Sequence, residues 1–341
     1  MSVPSGSSLL SKSFRFVIED SSQIGVARRH AAVMAEDLEF TETDKGRLAI
    51  IVNELCTNLI NHAGGGEILL RGFEYRGLPT VEVLSIDKGR GIADIEMCMK
   101  DGYSTTSTPG NGLGAVKRQS SFLDIYSQVG KGTVLVSYVH AGPPLKKDPE
   151  PVFQCGAICI PIKGETDCGD GWGFYQSEGK VSVMVADGLG HGTLAYRASA
   201  LALEIFQAQK EKPLEMLMQL LNGALKSTRG AAISVAEIRG NNLTFAGVGN
   251  VRGALLERNK LKNLISHAGT VGLQQRPTKS FSAPWEPETL LIMHSDGLLT
   301  RWELTPYPGL ERHHPSLMCA VLYRDFNRQT DDVTILVGGF V

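Results

Sequence analysis

The chain has 341 residues, of which 42% are hydrophobic and 21% charged, and its formal net charge at pH 7 is -2. This length exceeds what a single hydrophobic core usually serves, so we expect two domains. The near-balanced charge gives no electrostatic reason to expect nucleic acid or an anionic membrane as a partner. No apolar run approaches the roughly 20 residues of a membrane helix, and the N-terminus lacks a signal-peptide core, which predicts a cytoplasmic protein.

The first half of the chain predicts an α+β unit. Residues 1–12 are rich in serine and are expected to be flexible, and residues 13–19 alternate as a strand. A helix is expected over 21–38, and Thr43 is the expected N-cap of a second helix that runs to about Ala63. Further strands are expected near 67–75, 80–87, 122–129 and 132–140, with short helices near 94–100 and 112–121.

A proline-rich segment at residues 142–152 is the clearest linker in the chain. It predicts one domain over 13–141 and another over 153–341. In the second domain, strands outnumber helices and the two long helices are consecutive, which favours layered β-sheets with helices packed outside. The expected strands lie near 153–162, 180–187, 231–237, 242–249, 252–257, 288–294 and 332–338, and the expected helices near 194–210 and 213–226.

Six cysteines are scattered along the chain, which is not the pattern of a disulfide framework. Three of them, Cys155, Cys159 and Cys168, have two interpretations. They are either ligands of a zinc site or small residues of a buried core. The apolar sequence around Cys155 and Cys159 favours the core, since no second Cys/His pair completes a zinc-binding spacing.

The first half contains polar residues whose spacing suits ATP with Mg²⁺. Glu54 and Asn58 are four residues apart on a predicted helix and therefore share one face. The Asn58 amide oxygen can bind Mg²⁺, and the Glu54 carboxylate can act as a base on an attacking hydroxyl. His62 follows on the same helix, where a structural role is favoured over a catalytic one.

Residues suited to the base, sugar and phosphates of ATP follow further along the chain. Asp87 ends an apolar strand and offers a carboxylate to the adenine amino group. The other candidates are backbone or hydroxyl contacts, namely Gly89, Gly91, Gly110, Gly112, Gly114 and Thr133. The glycine-rich run at 110–114 precedes a helix, where exposed N–H groups and the helix dipole favour phosphate.

The second half contains aspartates next to small or turn-forming residues. They are Asp170, Asp187, Asp296 and Asp331, and three of them follow apolar strands. Carboxylates at strand ends can converge on hard cations such as Mg²⁺ or Mn²⁺. Two such ions can activate water for attack on a phosphate ester. The alternative, ordinary Asp-Gly turns at strand ends, accounts for any one of these residues but poorly for all of them together.

Residues from about 13 to 140 resemble the histidine-kinase-type ATPases, and among them the anti-sigma-factor serine kinases of the stressosome switch-kinase type. The resemblance lies in Glu54-Leu-Cys-Thr-Asn58, in Asp101-Gly-Tyr-Ser-Thr-Thr106 and in the run from Gly110 to Arg118. It implies an α/β sandwich of the histidine-kinase-type ATPase fold, with Glu54 as the base, Asn58 as the Mg²⁺ ligand and Asp87 as the adenine contact. No phosphoacceptor-histidine helix pair precedes this segment, which disfavours a sensor kinase.

Residues from about 153 to 341 resemble the type-2C-like metal-dependent phosphatases of the stage II sporulation protein E class, most closely the stressosome feedback-phosphatase type. The resemblance is carried by Cys168-Gly-Asp170, by the run from Ala186 to Gly192, by the run from Gly247 to Arg252, and by Asp331-Asp332-Val-Thr334. It implies a β-sandwich flanked by helices that binds two Mn²⁺ or Mg²⁺ ions.

The second resemblance also implies roles for individual residues. Asp187 would bridge both ions, and the other metal ligands would be the Gly188 carbonyl, Asp170, Asp296 and Asp331. Asp332 is a candidate to support these ligands. Lys163 lies where eukaryotic relatives carry a phosphate-binding arginine, and His191 is either a general acid or a loop contact.

Together the two halves predict a bifunctional serine/threonine kinase and phosphatase. The expected partners are STAS-domain phosphoprotein regulators, with a sigma factor or another partner-switching regulator beyond them. Two alternatives stay open. In one, only the phosphatase is an enzyme and the first domain senses nucleotide or docks a partner. In the other, the chain is non-catalytic and sequesters a regulator.

Overall fold

The computed structural model describes residues 12–99, 112–142, 153–177, 179–258, 260–273 and 277–340. The described residues form two compact units. The N-terminal unit consists of those between Ser13 and Lys147 together with Arg312–Arg324. The C-terminal unit consists of Lys12 and of those within Asp148–Glu311 and Asp325–Val341. Within the described ranges, every helix is too short or too polar to cross a membrane.

The N-terminal unit is built on a five-stranded antiparallel sheet in the order β1-β2-β3-β5-β4. Its strands are β1 Phe14–Ile18, β2 Gly66–Tyr75, β3 Leu78–Ile86, β4 Phe122–Gln128 and β5 Gly132–His140. Strands β2 and β3 form a hairpin whose two turn residues, Arg76 and Gly77, both have positive φ. That conformation matches the right-handed twist of the paired strands.

The helices of this unit are α1 Ser21–Asp37, α2 Glu42–Asn58, α3 Ile95–Cys98 and α4 Gly112–Gln119. The cap of α2 differs from the predicted one. Thr41, not Thr43, is the N-cap, because its hydroxyl accepts the Asp44 N–H and the carboxylates of Glu42 and Asp44 occupy the first turn. The helix continues beyond Asn58 as a π-helical turn, Leu59–Ala63, and ends at Gly64 with φ 74°.

Helices α1 and α2 cover one face of the sheet and form the core of the N-terminal unit. Leu48, Ile51 and Leu55 of α2 are at most 2% exposed and pack in one cluster with Ile68 and Leu70 of β2. The alternation of strand side chains sends the intervening residues to the opposite face of the sheet.

The C-terminal unit contains two further five-stranded sheets, in the orders β13-β10-β9-β8-β7 and β12-β11-β14-β15-β6. Their strands are β6 Phe153–Ile160, β7 Asp170–Ser177, β8 Lys180–Gly188, β9 Ala231–Arg239, β10 Asn242–Val248, β11 Arg252–Glu257, β12 Lys260–Leu264, β13 Phe281–Pro284, β14 Leu290–His294 and β15 Val333–Phe340. The remaining helices are α5 Thr193–Ala208, α6 Leu214–Ala224 and α7 Pro315–Phe326. Strands β7, β12 and β13 were not expected from the sequence.

Side chains of strand β8 pack alternately on the two sides of their sheet. Val183 and Val185 belong to a core shared with Leu291 and Leu336 of the other sheet. Met184 and Ala186 point the other way and pack among residues of α5 and α6, which include Phe206. The C-terminal unit is therefore a β-sandwich flanked by helices, as the sequence predicted.

Helix α7 was not expected from the sequence, and most of it belongs to the N-terminal unit. All of its residues from Pro315 to Arg324 are buried, so it has no polar stripe that would reveal a helical period. Segment 312–324 contacts the face of the N-terminal sheet that α1 and α2 leave uncovered. Ser316 donates to Glu82 Oε2 at 2.7 Å, and Tyr323 donates to Glu67 Oε2 at 2.9 Å.

Candidate nucleotide and metal sites

Helix α2 presents the first pair of candidate residues. Glu54 and Asn58 are both half-buried, and burial raises the pKa of the Glu54 carboxyl. Asn58 is the last residue of α2 and lies beside the start of α4, since a Cβ placed on Gly112 would be 3.6 Å from Asn58 Oδ1. The predicted Mg²⁺ ligand and the predicted phosphate-binding helix are therefore neighbours.

The glycine-rich run differs in part from its predicted form. Gly112 and Gly114 lie inside α4 rather than in a loop ahead of it. Gly110 and the motif at 101–106 lie outside the described residues. His62 lies in the π-helical turn that follows α2, and burial together with Arg90 lowers its pKa.

Asp87 is fixed at the end of β3 by backbone donors. Its Oδ1 accepts the N–H of Gly89 at 2.8 Å and that of Thr133 at 3.1 Å. The net effect of burial is to raise the pKa of the Asp87 carboxyl, although these two hydrogen bonds act in the opposite direction. Asp87, Gly89 and Thr133, which the sequence assigned to one adenine site, are thus joined by direct hydrogen bonds.

Close backbone contacts surround Asp87. Gly132, with φ 90°, passes so near that a Cβ there would be 2.2 Å from the Asp87 carbonyl oxygen. Gly91 lies against β4, and a Cβ on it would be 2.3 Å from the Gln128 carbonyl oxygen. Sequence analysis named Gly91 but missed Gly132, although Gly132 directly precedes Thr133.

Arg324 of α7 is a further contact of Asp87 that sequence analysis missed. Its Nη1 donates to the backbone oxygen of Asp87 at 3.3 Å, and its charge acts to lower the pKa of the Asp87 carboxyl. The residue is 7% exposed. Arg324 and Asp87 are 237 residues apart in the chain, and no pattern in the sequence indicates their contact.

In the C-terminal unit, Asp170 and Asp187 are direct cross-strand partners at the ends of β7 and β8. Asp170 is 5% exposed, and its Oδ2 is buried without a hydrogen-bond partner. Burial and the Asp187 charge raise the pKa of Asp170 well above its usual range. Burial and the charges of Asp296, Asp331 and Asp332 raise the pKa of Asp187 to about 7.

Asp296 and Asp331 lie in loops that adjoin β14 and β15. Asn250 donates to Asp296 Oδ2 at 2.7 Å, and the Arg328 guanidinium donates to the Asp296 carbonyl at 3.1 Å. Asp331 Oδ1 accepts the Asp332 N–H at 2.9 Å. Asn250 belongs to the run from Gly247 to Arg252, but no role was predicted for it from the sequence.

Asp332 binds the backbone rather than facing the aspartate cluster alone. Its Oδ1 accepts the Ile162 N–H and its Oδ2 accepts the Gly169 N–H, both at 2.8 Å. Because Gly169 directly precedes Asp170, this side chain fixes the start of β7. Asp332, the candidate to support the predicted metal ligands, thus binds the backbone directly before one of them, Asp170.

Gly188 follows Asp187 at the end of β8 and lies against the first turn of α5. A Cβ there would be 2.2 Å from the Ala195 carbonyl oxygen. Next to this contact, His191 Nδ1 lies 2.9 Å from Glu165 Oε1, so His191 makes a loop contact. Lys163 is exposed.

The residues of this cluster fit a divalent cation. The unpartnered Asp170 Oδ2 and the mutual repulsion of the aspartates are features that a bound cation would relieve. In the described ranges, no three His, Cys, Asp or Glu side chains form a group that is already arranged to hold an ion.

Two of the three cysteines that suggested a zinc site lie together. Cys159 and Cys168 are buried, with their sulfur atoms 3.6 Å apart, and Cys155 is half-buried in β6. Burial in the sheet fits their interpretation as small core residues.

The chain therefore combines two kinds of domain, an α/β sandwich in the N-terminal unit and a helix-flanked β-sandwich with an acidic cluster in the C-terminal unit. Residues 18–137 match the family described as histidine kinase-like ATPase domain, and residues 177–340 match stage II sporulation protein E. The chain belongs to the histidine kinase-like ATPase family through its N-terminal unit, and its second half resembles the stage II sporulation protein E class.

Two relatives from Bacillus subtilis (strain 168) match different parts of the chain. The serine/threonine-protein kinase RsbT is 34% identical over 110 residues, which cover 32% of this chain and 83% of that protein. The phosphoserine phosphatase RsbX is 29% identical over 139 residues, which cover 40% of this chain and 70% of that protein.

A solved structure supports the fold. A chain described under the heading of the bacterial stressosome aligns with a TM-score of 0.52 and 23% sequence identity. The alignment covers 55% of this chain and 100% of that one.

Proposed function

We propose that the chain is a bifunctional enzyme of bacterial partner-switching signalling, with an ATP-dependent serine/threonine kinase in the N-terminal unit and a divalent-metal-dependent phosphatase in the C-terminal unit. One observation carries the proposal. A single chain is similar to a protein kinase over one part and to a phosphoserine phosphatase over another, with a separate acidic site in each part. The expected substrates are STAS-domain regulators in the cytoplasm, and a sigma factor or another partner-switching regulator would act downstream.

In the kinase reaction, Asp87 and Asn58 orient ATP and its Mg²⁺. The two backbone hydrogen bonds of the Asp87 side chain both use Oδ1, so Oδ2 would accept the adenine amino group. Asn58 Oδ1 would bind Mg²⁺ next to the start of α4, where Gly112 and Gly114 would lie along the phosphates. Gly89, Gly91 and Thr133 would line the base.

Glu54 would act as the general base. Its carboxylate would accept the proton of a serine or threonine hydroxyl as that oxygen attacks the γ-phosphate. Burial raises the pKa of Glu54, which makes it a stronger proton acceptor than a fully solvated glutamate.

In the phosphatase reaction, Asp187 would help to hold two divalent metal ions. The Gly188 carbonyl and the carboxylates of Asp170, Asp296 and Asp331 would complete the ligand set. Bound Mn²⁺ or Mg²⁺ would supply a water of lowered pKa. Asn250 and Asp332 orient their neighbours, since Asn250 donates to Asp296 and Asp332 accepts the Gly169 N–H.

The test is a phosphate balance on the full chain with candidate STAS partners, ATP, Mg²⁺ and Mn²⁺. We expect Glu54→Gln to lower phosphate transfer to the partner by roughly 10²- to 10⁴-fold, because the general base is lost. Asp187→Asn should abolish hydrolysis of the phosphopartner. Matched controls are Glu74→Gln and Glu204→Gln, which remove one exposed charge from each unit.

The outcomes separate the alternatives. Phosphopartner that accumulates only in Asp187→Asn means that both sites act on one substrate, whereas accumulation of one phosphopartner during hydrolysis of another means two substrates. Transfer that survives Glu54→Gln contradicts the assigned base. Hydrolysis without any transfer favours a phosphatase with a nucleotide-sensing unit, and stable complexes without turnover favour a sequestering protein.

A further inference from the structure

Helix α7 and the residues that follow it contact both candidate sites within a few residues of sequence. In the N-terminal unit, Arg324 donates to the backbone oxygen of Asp87 at 3.3 Å. In the C-terminal unit, Arg328 donates through its guanidinium to the backbone oxygen of Asp296 at 3.1 Å. Only three residues lie between the two arginines. Each contact lies within its own unit, and the chain itself joins them.

The contact of Arg324 with Asp87 is well supported by its surroundings. Segment 312–324 is fixed to the N-terminal sheet by further polar contacts, which include His314 N to Asp124 Oδ2 at 2.8 Å and Ser316 to Glu82. Gly132 and Thr133 hold the other side of Asp87. The Arg324 charge also acts to lower the pKa of the Asp87 carboxyl, which favours the anionic form that accepts a donor.

The residues after α7 are attached equally closely to the loop that contains Asp296. The Leu299 N–H donates to the Phe326 carbonyl at 2.8 Å, and the Arg328 N–H donates to the Gly297 carbonyl at 2.9 Å. These bonds pair residues 326–328 with residues 297–299, directly after Asp296. A shift of the end of α7 would therefore move the backbone that presents this proposed metal ligand.

We propose that Arg324 is a positioning residue of the nucleotide site and that residues 324–328 couple nucleotide occupancy in the N-terminal unit to the arrangement of Asp296 in the acidic site. The inference rests on the proposed function, since it takes Asp87 as the adenine contact and Asp296 as a metal ligand. The ligand that it invokes is an adenine nucleotide. Coupling of this kind requires that nucleotide bind one arrangement of the segment more tightly than another.

The chain has natural reporters for the test. All three tryptophans, Trp172, Trp285 and Trp302, lie in the C-terminal unit. Trp302 donates to His294 Nε2 at 3.0 Å, and His294 is two residues before Asp296. The N-terminal unit contains no tryptophan that a nucleotide bound to it could perturb directly. A change in tryptophan fluorescence on nucleotide binding therefore reports a response of the C-terminal unit.

The experiment titrates the full chain with ADP at saturating Mg²⁺ and measures affinity by calorimetry and tryptophan emission in parallel. We expect emission to change with the same Kd as the heat. Arg324→Ala should weaken ADP binding by about tenfold, the equivalent of about 1.4 kcal/mol. Arg324→Lys, which keeps the charge but not the planar fork, should bind more tightly than Arg324→Ala. Arg328→Ala should bind ADP but show a smaller emission change, because the side-chain bond to the Asp296 carbonyl is lost while the backbone bonds of residues 326–328 remain.

The control is Arg28→Ala, which removes an exposed charge from α1 and should alter neither signal. Unchanged ADP affinity in both Arg324 variants overturns the positioning role. A full emission change in Arg328→Ala, or ADP binding by the unaltered chain without any emission change, overturns the coupling while the proposed function stands. Absence of ADP binding by the unaltered chain contradicts the nucleotide site of the proposed function itself.

Discussion

The two acidic sites of this protein differ in how their carboxylates are stabilised. In the N-terminal unit, Asp87 is held by two backbone N–H donors and lies near the Arg324 charge. In the C-terminal unit, Asp170 has a buried oxygen with no partner, and burial together with three other aspartates raises the pKa of Asp187. The first site therefore suits a neutral hydrogen-bond donor, such as the proposed adenine amino group. In the second site the carboxylates repel one another, and a bound cation would relieve that repulsion.

The first test of this comparison substitutes Gly132, whose backbone packs directly against the backbone of Asp87. Gly132→Ala should destabilise the N-terminal unit by about 2–5 kcal/mol, because the new Cβ adds overpacking to the strain of a positive φ. It should also abolish nucleotide binding, since the Asp87–Thr133 contact must shift. Urea unfolding and ADP titration measure the two effects.

Gly130→Ala is the matched control for Gly132→Ala. Gly130 has φ 80° in the same turn, but a Cβ there meets nothing within 4 Å. This variant should lose only about 1–2 kcal/mol, the cost of the backbone conformation. If the two variants lost the same stability, the close contact with Asp87 would not be the reason for glycine at position 132.

The second test concerns stabilisation of the C-terminal unit by a cation. Mn²⁺ at about 100 times its Kd should stabilise this unit by about 2.7 kcal/mol. Asp187→Asn should raise the stability of the metal-free protein, because it removes one of the repelling charges, and should lose most of the response to Mn²⁺. Thermal unfolding with and without Mn²⁺ gives both values.

For the same experiment, Glu204→Gln is the control, since its exposed carboxylate on α5 lies outside the cluster. A Mn²⁺ response in Asp187→Asn as large as in the unaltered chain would contradict the assignment of Asp187 as a metal ligand. A lower stability of metal-free Asp187→Asn would show that the side chain is structural rather than repelled.

The smallest expected effect is the pH dependence of the segment that covers the N-terminal sheet. Burial lowers the pKa of His314 from 6.5 to about 4, against the opposing charges of Glu82 and Asp124. Between these values the unfolded chain binds a proton that the native state does not, so stability falls as pH falls. From pH 7.5 to 5.5 the His314 contribution should decline by about 1 kcal/mol.

His314→Gln measures this contribution, because glutamine does not titrate. The difference in urea stability between this variant and the unaltered chain should change with pH in the stated direction. A difference that is independent of pH would mean that His314 is equally protonated in both states. His140 shares the direction of the shift, since burial lowers its pKa to about 4, but it is common to both proteins and cancels.

Local patterns were enough to predict most of the regular structure. The helices that became α1, α2, α5 and α6 have apolar periodicity and lie close to their predicted positions, and α1 and α2 also have side-chain N-caps. The misses have physical causes. The N-cap of α2 is Thr41 because two threonines stand near the helix start and only geometry selects one. Strands β12 and β13 are mostly exposed edge strands, so they lack an apolar alternation.

The candidate site residues also divide into those that a local sequence motif predicted and those that only the structure revealed. Asp87, Gly89 and Thr133 could be grouped from the sequence because each belongs to a short motif, and hydrogen bonds join them. Asn250 belongs to a motif of the second half, but no role was predicted for it, and Arg324 belongs to no motif. Their partners, Asp296 and Asp87, are far away in the sequence, and single-sequence patterns contain no information on such pairs.

The sequence by itself determined the two families and the residue types at each acidic site, because glycines, aspartates and their spacings are local properties. Only the tertiary structure decided that helix α7, which lies between Asp296 and Asp331 of the second half, covers the sheet of the first. A helix that is buried on all sides has no amphipathic pattern from which it could be predicted. Its position depends on the face of the N-terminal sheet that α1 and α2 leave uncovered, which is a property of the folded unit.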